Sequence, residues 1–158
     1  MANTLTTSQV SRVAAGTDFP SAIPGRVNAI HVKWNPNGTS FSTGDVVQFI
    51  AVPDHARILD VMFTRSGDAV IDSMIASVGD ASNTSRWISG ASLSTTTGVF
   101  LVRAQNGQGL NYLISLSSSN EAVAFETIDL TAVSLSPCIT GSYQMTVFYM
   151  YEPGSTSD

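Results

Sequence analysis

Apolar residues fall in short bursts along this chain, and most bursts alternate with polar residues at a period of two. Residues 27–34 set Ile30, Val32 and Trp34 on one face and Val27, Ala29, His31 and Lys33 on the other. Successive side chains of a strand point to opposite faces, so this spacing predicts a strand with its larger apolar set inward. Residues 46–52 and 58–63 are denser runs, rich in β-branched and aromatic residues and of strand length. Between them, Pro53 fixes its own φ and disfavours helix at Val52. Asp54 suits a turn, because its carboxylate can bond backbone N–H groups just ahead of it. The reading is strand, corner, strand.

Further strands are predicted over 70–78, 99–104, 110–116, 122–133 and 143–151, with a short segment beginning at Trp87-Ile88. In 122–133, Ile128 and Leu130 are expected inward, and Thr127, Asp129 and Thr131 outward. In 143–151, Tyr143, Met145, Val147, Tyr149 and Tyr151 share a face. A Gly-rich loop at 105–109 is expected to join 99–104 to 110–116 as a hairpin. About eight short strands divided by turn signals, with no convincing amphipathic helix, predict an all-β fold. The specific expectation is an antiparallel, jelly-roll-like β-sandwich with an extended N-terminal arm.

The first residues break the pattern. Residues 1–25 are polar, rich in small residues and carry Pro20 and Pro24. Thr7 to Ala15 has the makings of a short helix capped by Thr7 or Ser8, but its apolar anchors are few. The preferred expectation is therefore an arm over 1–25 that lies on a neighbouring subunit. Its partner contacts would be Val10, Arg12, Val13, Asp18, Phe19 and Ile23. A sandwich domain over 26–152 and a flexible tail over 153–158 complete the division.

Composition narrows the function. The 158 residues suit one domain, and 12% are charged, with a net charge of −5. With Lys33 as the single lysine, the chain lacks the basic patch that nucleic acid needs. The single cysteine, Cys138, rules out an intrachain disulfide framework and reads as a buried, inert thiol. No signal peptide and no membrane-spanning run is expected, so synthesis in a reducing cytoplasm is.

Candidate chemistry is sparse. His31 and His55, with Asp54, lack the close spacing of metal ligands and read as surface residues. Asp68, Asp72 and Asp80 bracket one strand without a calcium-loop pattern and read as turn formers. No nucleophile elbow is present. Trp34, Trp87 and the tyrosines of 143–151 read as core rather than as a sugar platform. Arg57 and Asp60 are polar exceptions within the strand pair, expected in an ion pair or in turn hydrogen bonds. No catalytic, cofactor or metal residues are expected, and the chain is not read as an enzyme.

One set of motifs points to a family. Residues 44–63 read GDVVQFIAVPDHARILDVMF; a strand ending in Val78-Gly79-Asp80 and the pair Arg86-Trp87 follow. Together with the late TIDLT at 127–131 and the aromatic closing strand, this resembles the capsid decoration, or cement, proteins of tailed bacteriophages. The resemblance covers residues 27–151. It departs from the family pattern at His55-Ala56, where a small residue or Gly is usual. It implies a jelly-roll-like sandwich that assembles as a homodimer or homotrimer on the capsid's outer surface. There it would contact the major capsid protein and cement neighbouring subunits of the virion. The alternative is a carbohydrate- or receptor-binding sandwich of a phage tail or fibre, which needs exposed aromatics. A small coat protein forming its own shell is a third reading, opposed by the missing basic arm.

Overall fold

Nine strands and one short helix occur among the residues that the computed structural model describes, which are 3–16, 23–36, 42–66, 74–92, 99–104, 109–114, 125–135 and 141–153. In chain order they are β1 (Thr4–Thr6), α1 (Ser8–Ala14), β2 (Val27–Trp34), β3 (Val46–Pro53), β4 (Ala56–Ser66), β5 (Met74–Gly79), β6 (Ile88–Ser92), β7 (Val99–Arg103), β8 (Phe125–Leu135) and β9 (Ser142–Tyr151). A five-stranded sheet runs β1-β3-β8-β5-β6, and a four-stranded sheet runs β2-β9-β4-β7. Every pairing is antiparallel except that of β1 with β3. The all-β, jelly-roll-like sandwich is the fold.

The core fills the space between the sheets. Alternate residues of β9, namely Tyr143, Met145, Val147 and Tyr149, are fully buried there. Beside them in the same sheet stand Ile58, Val61 and Phe63 of β4, and the other sheet contributes Phe49, Ile50 and Val52 of β3 and Ile128 and Leu130 of β8. Burying each such side chain contributes roughly 1.5–3 kcal/mol, so this layer supplies most of the drive to fold. Aromatic rings link the sheets. Trp34 meets Phe49 edge-on at 6.5 Å and Phe49 meets Phe63 at 6.1 Å, while Phe63 stacks near Tyr143 at 6.3 Å within the four-stranded sheet.

Two bulges adjust which side chains enter the core. The β3–β8 register shifts between Gln48 and Ile50, so Phe49 and Ile50 are both buried. The β4–β9 register shifts between Ile58 and Asp60. After it, Val61, Phe63 and Arg65 point inward, and the Arg65 side chain is fully buried. An extra residue of this kind bends a strand and raises its twist, which suits a sandwich corner.

The corner forms where Pro53 predicts it. β3 ends at Pro53 and β4 starts at Ala56, with His55 at φ 62°. That left-handed conformation strains a residue with a Cβ. It is also the position where the decoration-protein pattern has a small residue or Gly.

Other motif residues are framework too. The buried Asp45 accepts bonds from Asn3 N (2.7 Å) and Ser42 N (2.8 Å). Gly79 leaves no room for a side chain, since a Cβ there would lie 2.0 Å from the Asn83 carbonyl oxygen.

Residues 110–114, the described part of the strand predicted over 110–116, do not form the hairpin partner of β7. Instead 111–114 lies along the other end of β4: Ile58 N donates to Tyr112 O and Ile114 N to Ala56 O, both at 2.9 Å. Neighbouring Leu113 and Ile114 are both buried, which regular alternation would forbid. The cause is the β4 bulge: β7 occupies the Met62–Ser66 side of it, and the 111–114 segment takes up the bonds that remain before it. Asp68, Asp72, Cys138 and the loop at 105–108 lie outside the described residues.

Candidate interaction surfaces

The N-terminal segment is closed onto its own sandwich over Asn3–Gly16, which corrects the expectation of an extended arm for that part. β1 pairs with β3 at a constant offset of 42 residues, from Thr4↔Val46 to Thr6↔Gln48. The offset persists after the strand ends. Thr7 Oγ1 donates to Phe49 O (2.7 Å), Ala51 N donates to Gln9 Oε1 (2.8 Å) and Gln9 Nε2 donates to Ala51 O (3.3 Å). The Gln9 amide thus takes the place of the next peptide group of β1 and satisfies backbone that an open edge would leave wet. Thr7 stands at the N-cap of α1, yet its hydroxyl serves β3 rather than the helix.

Val10 and Val13, three residues apart, form one apolar stripe of α1. They are 3% and 1% exposed and pack on Ala51 and Phe125. Two anchors suffice because the short helix needs to cover one small residue and one ring. Of the six expected partner contacts, Val10 and Val13 are therefore taken by this chain itself. Arg12 is exposed on the helix, and Ile23 is exposed beside the start of β2. Asp18 and Phe19 lie outside the described residues.

The outer faces of the two sheets differ. On the five-stranded sheet, Thr127 and Asp129 of β8 point outward yet are buried. Asp129 is 7% exposed, and its Oδ1 meets no hydrogen-bond partner among the described residues. Burial pushes its carboxyl up to about 6, against a hydrogen bond with Thr127 and with help from the charges of Glu126 and Asp80.

The outer face of the four-stranded sheet is more open. Val27 is 63% exposed, and Ala29, His31 and Lys33 are exposed with it along β2. Next to them on β9, Met150 lies opposite Val27 and Phe148 opposite Ala29, both half-buried. His31 Nδ1 lies 2.9 Å from Thr146 Oγ1.

Polar clusters elsewhere secure loops. Burial alone would raise the Asp80 carboxyl, but bonds from Arg86, Ser82 and Asn83 hold it below the usual carboxylate value. Arg86 stacks 3.8 Å over the Tyr112 ring, and Trp87 Nε1 donates to Gly109 O at 3.0 Å. This cluster ties the β5–β6 turn to the 109–114 segment. Arg57 pairs with Glu152 at 2.9 Å and Asp60 with Arg103, so the two polar exceptions of β4 sit in ion pairs but not with each other. The bulge between them separates their directions. Leu59, Asp60, Arg103, Ala104 and Leu110 line an open hollow of about 390 Å³. His55 Nδ1 lies 3.1 Å from Asp54 Oδ2 at the corner, while His31 is on β2. Among the described residues, no three His, Cys, Asp or Glu side chains are grouped to hold a metal ion.

The sequence matches no protein-family model and no curated protein. Solved structures do match. One is a chain from the capsid of Ralstonia phage GP4, at a TM-score of 0.69 and 10% identity, covering 96% of this chain and 99% of that one. Another is a chain from the cyanophage Pam1 capsid asymmetric unit, at a TM-score of 0.57 and 17% identity, covering 84% of this chain and 93% of that one. At these identities the likeness establishes a shared fold, the jelly-roll-like sandwich described above.

Proposed function

We propose that this chain is a structural component of a phage particle that sits on the outer surface of the capsid and cements neighbouring major capsid protein subunits. One observation carries the reading: the fold corresponds nearly end to end with a chain from a phage capsid. The motifs that resemble decoration proteins support it, because they occupy framework positions here: the Asp45 clasp, the Pro53 corner and the Gly79-Asp80 turn. Cementing asks for no catalysis. It asks for a rigid body held by several modest contacts, and a homodimer or homotrimer multiplies them through effective concentration. A tail or fibre module that binds sugars finds less support, since Trp87, Tyr143 and Tyr149 are all core.

The test is a binding assay with empty, expanded shells of the major capsid protein. The purified chain should pellet with the shells, be present in mature virions and raise the temperature at which the shells break. Absence from virions together with no pelleting would contradict the proposal.

A further inference from the structure

We infer that the outer edge of β2 receives an extended acidic strand from a partner, adding a fifth strand to the four-stranded sheet. The inference begins with hydrogen bonds. β2 pairs with β9 at all eight positions, from Val27↔Met150 to Trp34↔Tyr143, and no described strand pairs with its other side. At ~3.4 Å per residue, that open side is about 27 Å long. The remaining sheet edges are shorter or shared. β1 has three residues, β6 and β7 have five each, and the 111–114 segment continues the line of β7 along β4. An unpaired edge of this length is a template for another strand.

Side chains along β2 say what kind of strand fits. Ile30 and Trp34 point into the sandwich yet remain half-buried, whereas their neighbours on β9, Val147 and Tyr143, are fully buried. Apolar side chains of an added strand would finish covering them. On the outer face, His31 and Lys33 are exposed, and Arg26 stands just before the strand. No Asp or Glu occurs from residue 19 to 44, and β9 carries no charged residue at all. A chain of net charge −5 therefore presents a long edge that is apolar inward and whose outer face passes from Val27 and Ala29 to the exposed His31 and Lys33, with no acidic residue on β2 or β9 beside them. Its complement has apolar residues at the inward positions and Asp or Glu outward, opposite His31 and Lys33. A second copy of β2 is a poorer occupant, because twofold pairing would bring two copies of Lys33 to one seam with no Asp or Glu on either β2 to pair with them.

The source of that strand, the shell surface, rests on the capsid reading above, so the test has two arms. In the first, the full chain is titrated with a synthetic peptide alternating Val and Glu, and with a Val–Lys peptide as control. Amide signals of Val27–Trp34 should shift with the acidic peptide and not with the basic one. Equal responses, or none, would overturn the edge assignment whatever the capsid does.

In the second arm, expanded shells are bound by the wild type, by the doubly substituted His31→Glu/Lys33→Glu chain and by Ser92→Glu, an exposed position on β6 at the far edge of the other sheet. The double variant should bind at least about tenfold more weakly, and Ser92→Glu should bind within about twofold of wild type. Raising salt from about 50 to about 500 mM should weaken the wild type and narrow the gap. Full binding by the double variant overturns the edge inference and leaves the capsid reading standing. Failure of every form to bind overturns the capsid reading, and the peptide arm then decides the edge. A free dimer that the double variant abolishes would make the occupant a second copy and also overturn the inference.

Discussion

β3 and β2 lie one over the other at one flank of the sandwich, joined by the Trp34–Phe49 contact, and they meet the solvent differently. β3 is closed by its own chain. β1, Thr7 and Gln9 occupy its backbone in unbroken register, and Val10 and Val13 cover Ala51. β2 has no such cover among the described residues and carries His31 and Lys33 on an exposed face. The contrast separates two tasks. The N-terminal segment spends its apolar and hydrogen-bonding groups on stability, so its removal is felt first in folding. The β2 edge contributes less to folding and is free to bind.

The largest expected effect breaks the closed side. Val13→Asp places an unpaired charge against Ala51 and Phe125, at a cost of about 3 kcal/mol or more. Urea unfolding measures it, and a loss below about 1 kcal/mol would mean that α1 is not docked as described. Truncation of residues 1–16 should cost at least as much, because it also strips the β3 edge.

Next in size is Asp129, on the same sheet. Its carboxyl sits at about 6 in the folded chain, against an ordinary 3.8. The folded state therefore holds the proton more tightly than the unfolded one. This group's contribution is most favourable below about pH 4 and is lost as pH rises through about 6, an effect of about 2–3 kcal/mol. Asp129→Asn should stabilise the chain at pH 7 by about 2 kcal/mol and flatten its stability between pH 4 and 7. An Asn variant that is less stable at pH 7 would show that the buried carboxylate has a partner the structure lacks. The Asp80 pair works in the opposite sense, losing stability only as pH falls below the ordinary carboxylate value.

A smaller effect lies at the corner between β3 and β4. His55→Gly relieves a left-handed backbone at φ 62° and should stabilise by about 0.5–1 kcal/mol, less whatever the Asp54 contact supplies. A thermal melt reads the sign, and a clear loss would mean that the His55–Asp54 pair outweighs the strain. Smallest of all should be the stability change on the open side. The His31→Glu/Lys33→Glu chain is expected within about 0.5 kcal/mol of wild type, since both side chains are exposed. A large loss there would erase the division between the two edges.

Much of this fold is legible in the sequence. Period-two alternation places β2 and the inward face of β9, and Pro53 marks the end of β3, because these signals are local. What is not legible depends on groups far apart in the chain. Gln9 reads as a polar residue in a weak helix, and its meaning comes from Ala51, 42 residues away. The β4 bulge sends Arg57 to Glu152 and Asp60 to Arg103 and admits 111–114 beside the strand, where alternation alone suggests a hairpin. The candidate surface is harder still. An edge strand and a central strand carry the same alternating pattern, so only the pairing order reveals that β2 has an open side.

Amide hydrogen exchange, compared between the free chain and the chain bound to expanded shells, tests the division most directly. The account predicts new protection along Val27–Trp34 on binding, with Val46–Pro53 equally protected in both states by the N-terminal segment. New protection confined to residues 3–16, with β2 exchanging as fast as before, would contradict it and return the contact to the N-terminal arm.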